Sequence, residues 1–218
     1  MASYIIIWAN LVVTGLVLSC FSKLGDSVVY FRFSLLIAVI LALLASKLKP
    51  DFADAKTNPS DQEPTRNPLM VTFLWISFGM TLLANILIAY NYHPNNWDSL
   101  TYHLPRVLFY ISQGNLAHFE TVNDRLTFFP LNATLFQIFL AIYGQPDYLF
   151  NFFNLASWLL AALAVYQLCR RSGLAHLPAL LSSWIGVMAT QVLAQGTATT
   201  NDLLTAVPLL IGTLFILE

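Results

Sequence analysis

The stretch that decides the topology of this chain is Leu-Asn-Ala-Thr-Leu-Phe-Gln-Ile-Phe-Leu-Ala-Ile-Tyr, from Leu131 to Tyr143. As a helix it would be about 20 Å long at roughly 1.5 Å per residue, whereas the hydrocarbon core of a bilayer is about 30 Å thick. The stretch is apolar enough to enter a membrane and too short to cross one. We therefore predict an interfacial or partly inserted helix here.

Longer apolar runs lie on both sides of this stretch. Hydrophobic residues make up 57% of the 218 residues and charged residues only 10%, a composition typical of integral membrane proteins. Five runs reach the length that a spanning helix needs, and a sixth is shorter: Tyr4–Phe21, Val28–Ser46, Leu69–Tyr90, Tyr148–Cys169, Leu177–Gln195 and Leu203–Leu217. The sequence predicts an all-α polytopic membrane helix bundle with about six spanning helices, plus interfacial helices in its first large loop.

The basic residues indicate the orientation. With a cytoplasmic N-terminus and a non-spanning 131–143 segment, six basic residues lie inside and four outside: Lys47, Lys49, Lys56, Arg66, Arg170 and Arg171 against Lys23, Arg32, Arg106 and Arg125. This distribution agrees with the positive-inside rule, and a spanning 131–143 helix would reverse it. Residues 91–147 then form one large extracytoplasmic loop, and residues 196–202 a second, short one.

The chain divides into three predicted segments. Residues 1–46 form a transmembrane hairpin, residues 47–68 a cytoplasmic linker with four prolines and mixed charge, and residues 69–218 a transmembrane core. Cys20 and Cys169 fall at opposite membrane faces, too far apart for a disulfide. The net charge of -1, with no run of basic residues, gives no support for nucleic-acid binding.

Polar residues concentrate in the first large loop. Asp98, Tyr102 and Arg106 are spaced four residues apart, so one helix face would carry all three. Pro105 must kink or split that helix, and Gly114 suits its C-terminal end. From position alone Asp98 is either the N-terminal cap of this helix or a catalytic carboxylate, and both readings stay open.

Other polar residues also have two readings. Asp202, after Thr-Thr-Asn, either caps the last helix or serves a site. Arg106 and Arg125 could each bind a phosphate or a lipid headgroup, and phosphate is favoured for Arg106 only, because it shares a face with Asp98. Three histidines of the loop match no zinc spacing, which favours hydrogen bonding over metal binding: His93, His103 and His118.

Several short motifs follow one another in a characteristic order: Trp-Asp-Ser-Leu-Thr-Tyr-His-Leu-Pro-Arg at 97–106, Gly-Asn at 114–115, Phe-Pro-Leu at 129–131, Arg-Arg at 170–171 and Thr-Asn-Asp at 200–202. Over residues 69–218 this order resembles the N-terminal part of GT-C class membrane glycosyltransferases. That class includes protein O-mannosyltransferases, the aminoarabinose transferase of lipid A and other enzymes like those of glycosyltransferase family 39.

The resemblance implies a reaction and a location. Such enzymes transfer a sugar from a polyprenyl-phosphate carrier to an acceptor glycan, lipid or protein on the extracytoplasmic face of the membrane. We therefore expect a multi-pass protein of a bacterial plasma membrane. The resemblance implies no definite cofactor and leaves a divalent metal ion open.

The resemblance also assigns roles to residues. Asp98 matches the catalytic aspartate of the first loop, and Asp202 matches the aspartate of the second outer loop. Many members have an acidic pair where Ser99 follows Asp98 here, so Glu120 and Asp124 are the candidates for a second carboxylate. The chemistry of the transfer adds further candidates, because a leaving phosphate needs a cation: Arg106 is the first and His103 the second. The predicted substrate-binding residues are Arg106, His103, Tyr102, Glu120 and Asp124.

Two expectations complete this reading. Asp98 and Asp202 should face a common outer cavity, because both lie at the start of helices on the same membrane face. Family members are usually longer, so the chain is expected to be a fragment or a minimal module, and as a fragment it could lack activity. The alternatives are a non-catalytic membrane subunit and a transporter. The transporter is disfavoured because the acids lie at span ends rather than at the midplane.

Overall fold

The computed structural model describes residues 1–47 and 67–217, and every regular element within those ranges is helical. The helices are α1 (Ala2–Cys20), α2 (Ser27–Lys47), α3 (Pro68–Asn91), a π-helical turn (Ser99–His103) leading into α4 (Leu104–Gln113), α5 (Arg125–Phe128), α6 (Asn132–Ile142), a 3-10 turn (Asp147–Leu149), α7 (Phe150–Arg171), α8 (His176–Met188), α9 (Thr190–Gly196) and α10 (Asp202–Ile216).

Four of these helices, α1, α2, α3 and α7, are long and apolar enough to cross a bilayer. Helices α8 and α9 together would make a fifth, but their axes meet at 70°. Such a set of helices fits a multi-pass membrane protein. The all-helical class is confirmed, whereas the predicted number of about six spans is not.

The difference lies in the last two predicted spans. The run Leu177–Gln195 was expected to be one helix, but the backbone turns to an extended conformation at Ala189 (ψ 130°) and divides it. Helix α10 has 15 residues and contains Pro208. At about 1.5 Å per residue it is roughly 22 Å long, less than the thickness of the hydrocarbon core.

The described residues form two compact units. The first unit is made of the described residues of Met1–Lys49, His93–Phe150 and Thr199–Asn201. The second unit is made of the described residues of Pro50–Tyr92, Asn151–Ala198 and Asp202–Glu218. The N-terminal hairpin groups with the first large loop in this division, and the segments 1–46, 47–68 and 69–218 stay a prediction. Nearly all of the predicted linker lies outside the described residues.

In the first unit, the α1–α2 turn holds the end of α4. The Leu24 N–H donates to the Gly114 carbonyl at 2.9 Å, and the Leu116 N–H donates to Ser19 Oγ at 2.8 Å. At Gly25 an added Cβ would lie 2.7 Å from the Ile111 carbonyl oxygen, so only glycine permits this approach. The turn and the loop therefore lie at the same end of the unit, as the predicted topology requires.

Helix α6 packs against the hairpin. An added Cβ on Gly15 would lie 2.5 Å from the Leu135 side chain, and the Tyr143 hydroxyl donates to the Ser27 carbonyl at 3.0 Å. The helix has 11 residues, about 16 Å of length. Its length agrees with the prediction of a segment too short to span.

The second unit is organised around Trp158, which is fully buried in α7. Its ring stacks on Phe78 of α3 with centroids 5.0 Å apart, and its indole N–H donates to the Val187 carbonyl of α8 at 2.9 Å. The Trp184 indole N–H donates to Ser77 Oγ at 2.7 Å, which joins α8 to α3. One aromatic side chain thus connects three helices.

Candidate functional site

The helix that carries the 97–106 motif begins at Asn96. The Asn96 side-chain oxygen accepts the Ser99 N–H at 2.6 Å, and its carbonyl accepts the Leu100 N–H at 3.1 Å. Asp98 already has helical dihedral angles (φ -66°, ψ -39°), and its side chain makes no capping hydrogen bond. Of the two readings left open for Asp98, the helix cap is wrong, because Asn96 fills that role. The Asp98 carboxylate is left for other partners.

Pro105 shapes the middle of this helix. Proline has no N–H to donate, and its ring clashes with the carbonyl four residues earlier, here that of Thr101. The chain widens into a π-helical turn over Ser99–His103, where the Leu104 N–H reaches back to the Ser99 carbonyl. The side-chain amide of Asn123 donates to the released Thr101 carbonyl at 3.2 Å. The predicted disruption at Pro105 is confirmed, and π-helical turns are frequent at functional sites.

Gly114 ends α4 as predicted. It adopts a left-handed conformation (φ 73°), and its N–H donates to the Ile111 carbonyl at 3.2 Å. An added Cβ would lie 2.7 Å from the Ser22 carbonyl oxygen, so both conformation and space favour glycine. This glycine fixes the end of α4 against the hairpin.

Asp98 forms an ion pair with Arg125. Asp98 Oδ1 lies 3.5 Å from Arg125 Nη1, and the two side chains are 46% and 54% exposed. The Tyr102 ring lies below Arg125, whose guanidinium carbon is 5.9 Å from the ring centroid, and it stacks on Phe129 at 5.1 Å. We call Asp98, Tyr102 and Arg125 the Asp98 cluster. It brings a carboxylate and a cation to an accessible surface.

Arg106 also lies over the Tyr102 ring, with its guanidinium carbon 5.9 Å from the ring centroid, and is fully buried. Its guanidinium donates to the carbonyls of Phe129 at 3.2 Å and Pro130 at 2.9 Å. Burial lowers its pKa to about 10, so it stays charged at neutral pH. In the described part of the chain it forms no ion pair with a carboxylate. The positions of these bonds show that Arg106 fixes the turn that leads into α6.

His103 is the neighbour of Arg106 in this buried pair. Burial, and then the charge of Arg106, lower the His103 pKa to about 3, so the ring is neutral at physiological pH. Its Nδ1 lies 3.4 Å from Arg106 Nη2 and must accept, because a guanidinium can only donate. The proton is therefore on Nε2, which has no hydrogen-bond partner among the described residues.

Three of the five predicted substrate-binding residues are buried and two are exposed. Tyr102 belongs to the Asp98 cluster but is itself buried, and Arg106 and His103 are fully buried next to it. Phosphate binding by Arg106 or His103 stays a prediction. Sequence reasoning did not select Arg125, although its charge on the same loop was a signal. Glu120 and Asp124 are exposed and make no ion pair within residues 1–47 and 67–217.

The second predicted outer loop contributes a residue to the first unit. Thr199 Oγ1 donates to the hydroxyl of Ser99, the residue after Asp98, and the Thr199 carbonyl accepts the Gln137 side-chain amide at 2.9 Å. Asp202 begins α10 in the second unit, where its carboxylate accepts the Gln195 amide at 2.5 Å. The common cavity of Asp98 and Asp202 remains a prediction.

The polarity of the 97–113 helix is inverted relative to a soluble protein. His103 and Arg106 are inside, whereas Trp97 is 75% and Leu108 68% exposed. An interfacial helix places its apolar side chains among lipid headgroups and acyl chains in this way. The pattern supports the prediction that the helix lies along the membrane surface.

No group of three His, Cys, Asp or Glu side chains that could hold a metal ion occurs in the part of the chain that the structure describes. Comparison with protein families, with curated proteins and with solved structures found no match to this chain.

Proposed function

We propose that this chain acts in sugar transfer from a polyprenyl-phosphate carrier to an acceptor on the extracytoplasmic face of a bacterial plasma membrane. The observation that carries the proposal is the state of Asp98. Its carboxylate does not cap its own helix, it is half-exposed, and it lies beside a cation immediately before a π-helical turn. The order of motifs along residues 97–202, which resembles that of GT-C glycosyltransferases, supplies the reaction class.

The chemistry needs a base and a cation. In an inverting transfer, a carboxylate takes the proton of the acceptor hydroxyl while that oxygen bonds to the anomeric carbon of the sugar. The bond from the anomeric carbon to the carrier phosphate breaks, and the phosphate leaves with the electron pair. A cation stabilises that leaving group. Asp98 is the proposed base and Arg125 the proposed cation.

The ion pair between these residues does not prevent such roles. A salt bridge between two half-exposed side chains contributes only about 0–1 kcal/mol. A carrier phosphate could therefore take over Arg125 and release the Asp98 carboxylate at little cost. The resting pair would then protect the base until a substrate arrives.

The position of the cluster suits a lipid-linked donor. Its helix exposes Trp97, Leu100 and Leu108, and its end is bonded to the turn between two long apolar helices. A carrier whose chain lies in the bilayer would present its phosphate at this level. Asp202 is the proposed partner carboxylate from the second outer loop, on the resemblance alone.

The test is the Asp98→Asn substitution, which removes the charge and retains the size of the side chain. We expect transfer to fall by about 10²–10⁴-fold, the usual contribution of a general base, with unchanged expression. Turnover is measured in membranes as release of polyprenyl phosphate from candidate carrier-linked sugars. Asp26→Asn is the matched control, because Asp26 accepts the Val29 N–H at the start of α2 and asparagine caps equally well. Near-normal turnover of the Asp98 variant would contradict the proposal.

A non-catalytic membrane subunit is the second candidate. The observation in its favour is the buried Arg106–His103 pair, whose bonds to the Phe129 and Pro130 carbonyls are structural. Under this reading the Asp98 cluster would only fix the loop. Asp98→Asn would then leave turnover unchanged in any assembly that contains the chain.

A further inference from the structure

The second unit contains a cavity of about 370 Å³ between α3, α7 and α8. Its body is apolar and aromatic, lined by Leu74, Trp75, Phe78, Leu159 and Leu180. The volume lies in the range of roughly 300–1,000 Å³ found for small-molecule sites. The proposed transfer reaction makes no use of this cavity.

One end of the cavity is polar. Tyr166 Oη and His176 Nδ1 share a hydrogen bond of 2.9 Å, and the Gln167 side chain lies beside them. The Gln167 amide has no hydrogen-bond partner within the described ranges. The side chain is partly exposed, so this amide is available to hydrogen-bond the polar group of a ligand. The hydroxyl of Ser183, by contrast, is already used, since it donates to the Ala162 carbonyl at 2.6 Å.

A positive charge lies next to the polar end. Arg170 follows Tyr166 by four residues and Gln167 by three, so all three share one face of α7. Its guanidinium donates to the Leu174 carbonyl at 2.8 Å, in the short turn that leads to His176. The cavity therefore has an apolar body, a hydrogen-bonding end and a cation beyond it.

We propose that this cavity binds one acyl chain of an anionic phospholipid, with the headgroup at Gln167, His176 and Arg170. The unit is built from apolar helices that fit a bilayer, so lipids are the molecules that surround the cavity. Basic pockets between membrane helices recognise anionic headgroups through the same combination of charge and hydrogen bonds. The proposal is independent of the proposed transferase activity.

The test is lipid binding by the delipidated chain, measured by native mass spectrometry. We expect one phosphatidylglycerol per chain, bound about fivefold more tightly than phosphatidylcholine, the factor expected for one nearby arginine. Arg170→Gln should remove that preference. Arg171→Gln is the matched control, because Arg171 donates to the Leu214 carbonyl and lies on a different side of α7. Equal binding of the two lipids, or equal losses in both arginine variants, would overturn the proposal.

Two further arms locate the chain and the headgroup. Gln167→Leu should weaken binding of both lipids, whereas Gln191→Leu, an exposed glutamine of α9, should not. A photoreactive phosphatidylglycerol with its diazirine in the acyl chain should label peptides that contain Leu74, Phe78 or Leu180 in the unmodified protein. Labelling confined to other peptides, or displacement of phosphatidylglycerol by equimolar polyprenyl phosphate, would show that the site is not a phospholipid site.

Discussion

Within residues 1–47 and 67–217 two helices are interrupted, one in each compact unit, and the interruptions differ in cause. In the first unit Pro105 removes a hydrogen bond, and a π-helical turn over Ser99–His103 absorbs the change. In the second unit the backbone bends by 70° at Ala189, with neither proline nor glycine at the bend. The first interruption is dictated locally. The second must be stabilised by packing against another helix.

A side-chain hydrogen bond to a backbone carbonyl stabilises each of the two interruptions. Each leaves a backbone carbonyl without its usual donor, and one side chain supplies the missing bond. Asn123 donates to the Thr101 carbonyl in the first unit, and Trp158 donates to the Val187 carbonyl in the second. Asn123 is partly exposed, whereas Trp158 is fully buried. The second bend should therefore depend far more strongly on its donor.

The largest expected effect follows from this contrast. Trp158→Ala removes both the indole bond and the stack on Phe78, and leaves a cavity, so it should lower the free energy of unfolding by about 3–5 kcal/mol. Trp158→Phe keeps most of the ring and removes the donor, which should cost about 1–3 kcal/mol for the unpaired carbonyl. Thermal unfolding in detergent measures both.

The matched control is Trp97→Ala. Trp97 is 75% exposed, so its loss should change detergent stability by less than about 1 kcal/mol. A Trp158→Ala protein as stable as Trp97→Ala would show that the bend at Ala189 is maintained by something other than this tryptophan.

The same contrast explains what the sequence could predict. Pro105 and Gly114 act through their own backbone chemistry, so the disruption of the helix at Pro105 and its end at Gly114 could be predicted from the residue types alone. The runs that became α1, α2, α3 and α7 were readable from length and hydrophobicity. The bend at Ala189 was not predicted, because no proline or glycine stands at that position, and the side chain that donates to the Val187 carbonyl beside it comes from a tryptophan 31 residues earlier than Ala189 in the chain.

For the candidate site, too, the sequence predicted the region but not the contacts between its residues. Polar residues near 97–106 identified the region, but not its partners. Asn95, Asn96 and Asp98 are all good capping residues, and only the backbone path selects Asn96. Arg125 reaches Asp98, and Asn123 reaches Thr101, through a loop whose course no periodicity predicts. The resemblance assigned a role to Asp98, but it did not predict that Arg125 and Asn123 lie near the 97–106 motif.

A smaller effect tests the cause of the first interruption. If Asn123 is needed because Pro105 releases the Thr101 carbonyl, then Asn123→Ala should cost about 1–2 kcal/mol beside proline and much less in a Pro105→Ala background. The difference between the two costs is the coupling energy of the pair, expected to be about 1 kcal/mol. Thermal unfolding of the four proteins measures it. Additive effects would mean that Asn123 stabilises the loop independently of the proline.

The smallest expected effect distinguishes the two interruptions by pH. The π-helical turn ends at His103, whose pKa is lowered to about 3 by burial and by Arg106, whereas no titratable residue lies between Trp184 and Gln195 at the second bend. In the unfolded chain a histidine has a pKa near 6.5, so below that pH the unfolded state binds a proton that the folded state excludes. Stability should fall as pH drops from about 6.5 towards 3, by roughly 1 kcal/mol at pH 5.5, or about 2–4 °C in Tm.

His103→Gln keeps an acceptor for Arg106 and removes the titration, so its Tm should decline less between pH 7.5 and 5.5 than that of the unmodified chain. Trp158→Phe, which changes only the second bend, should keep the full pH dependence. Parallel pH profiles for the unmodified and His103→Gln proteins would show that His103 is protonated in the folded chain or exchanges readily with solvent, and that the first interruption is less tightly closed than its geometry indicates.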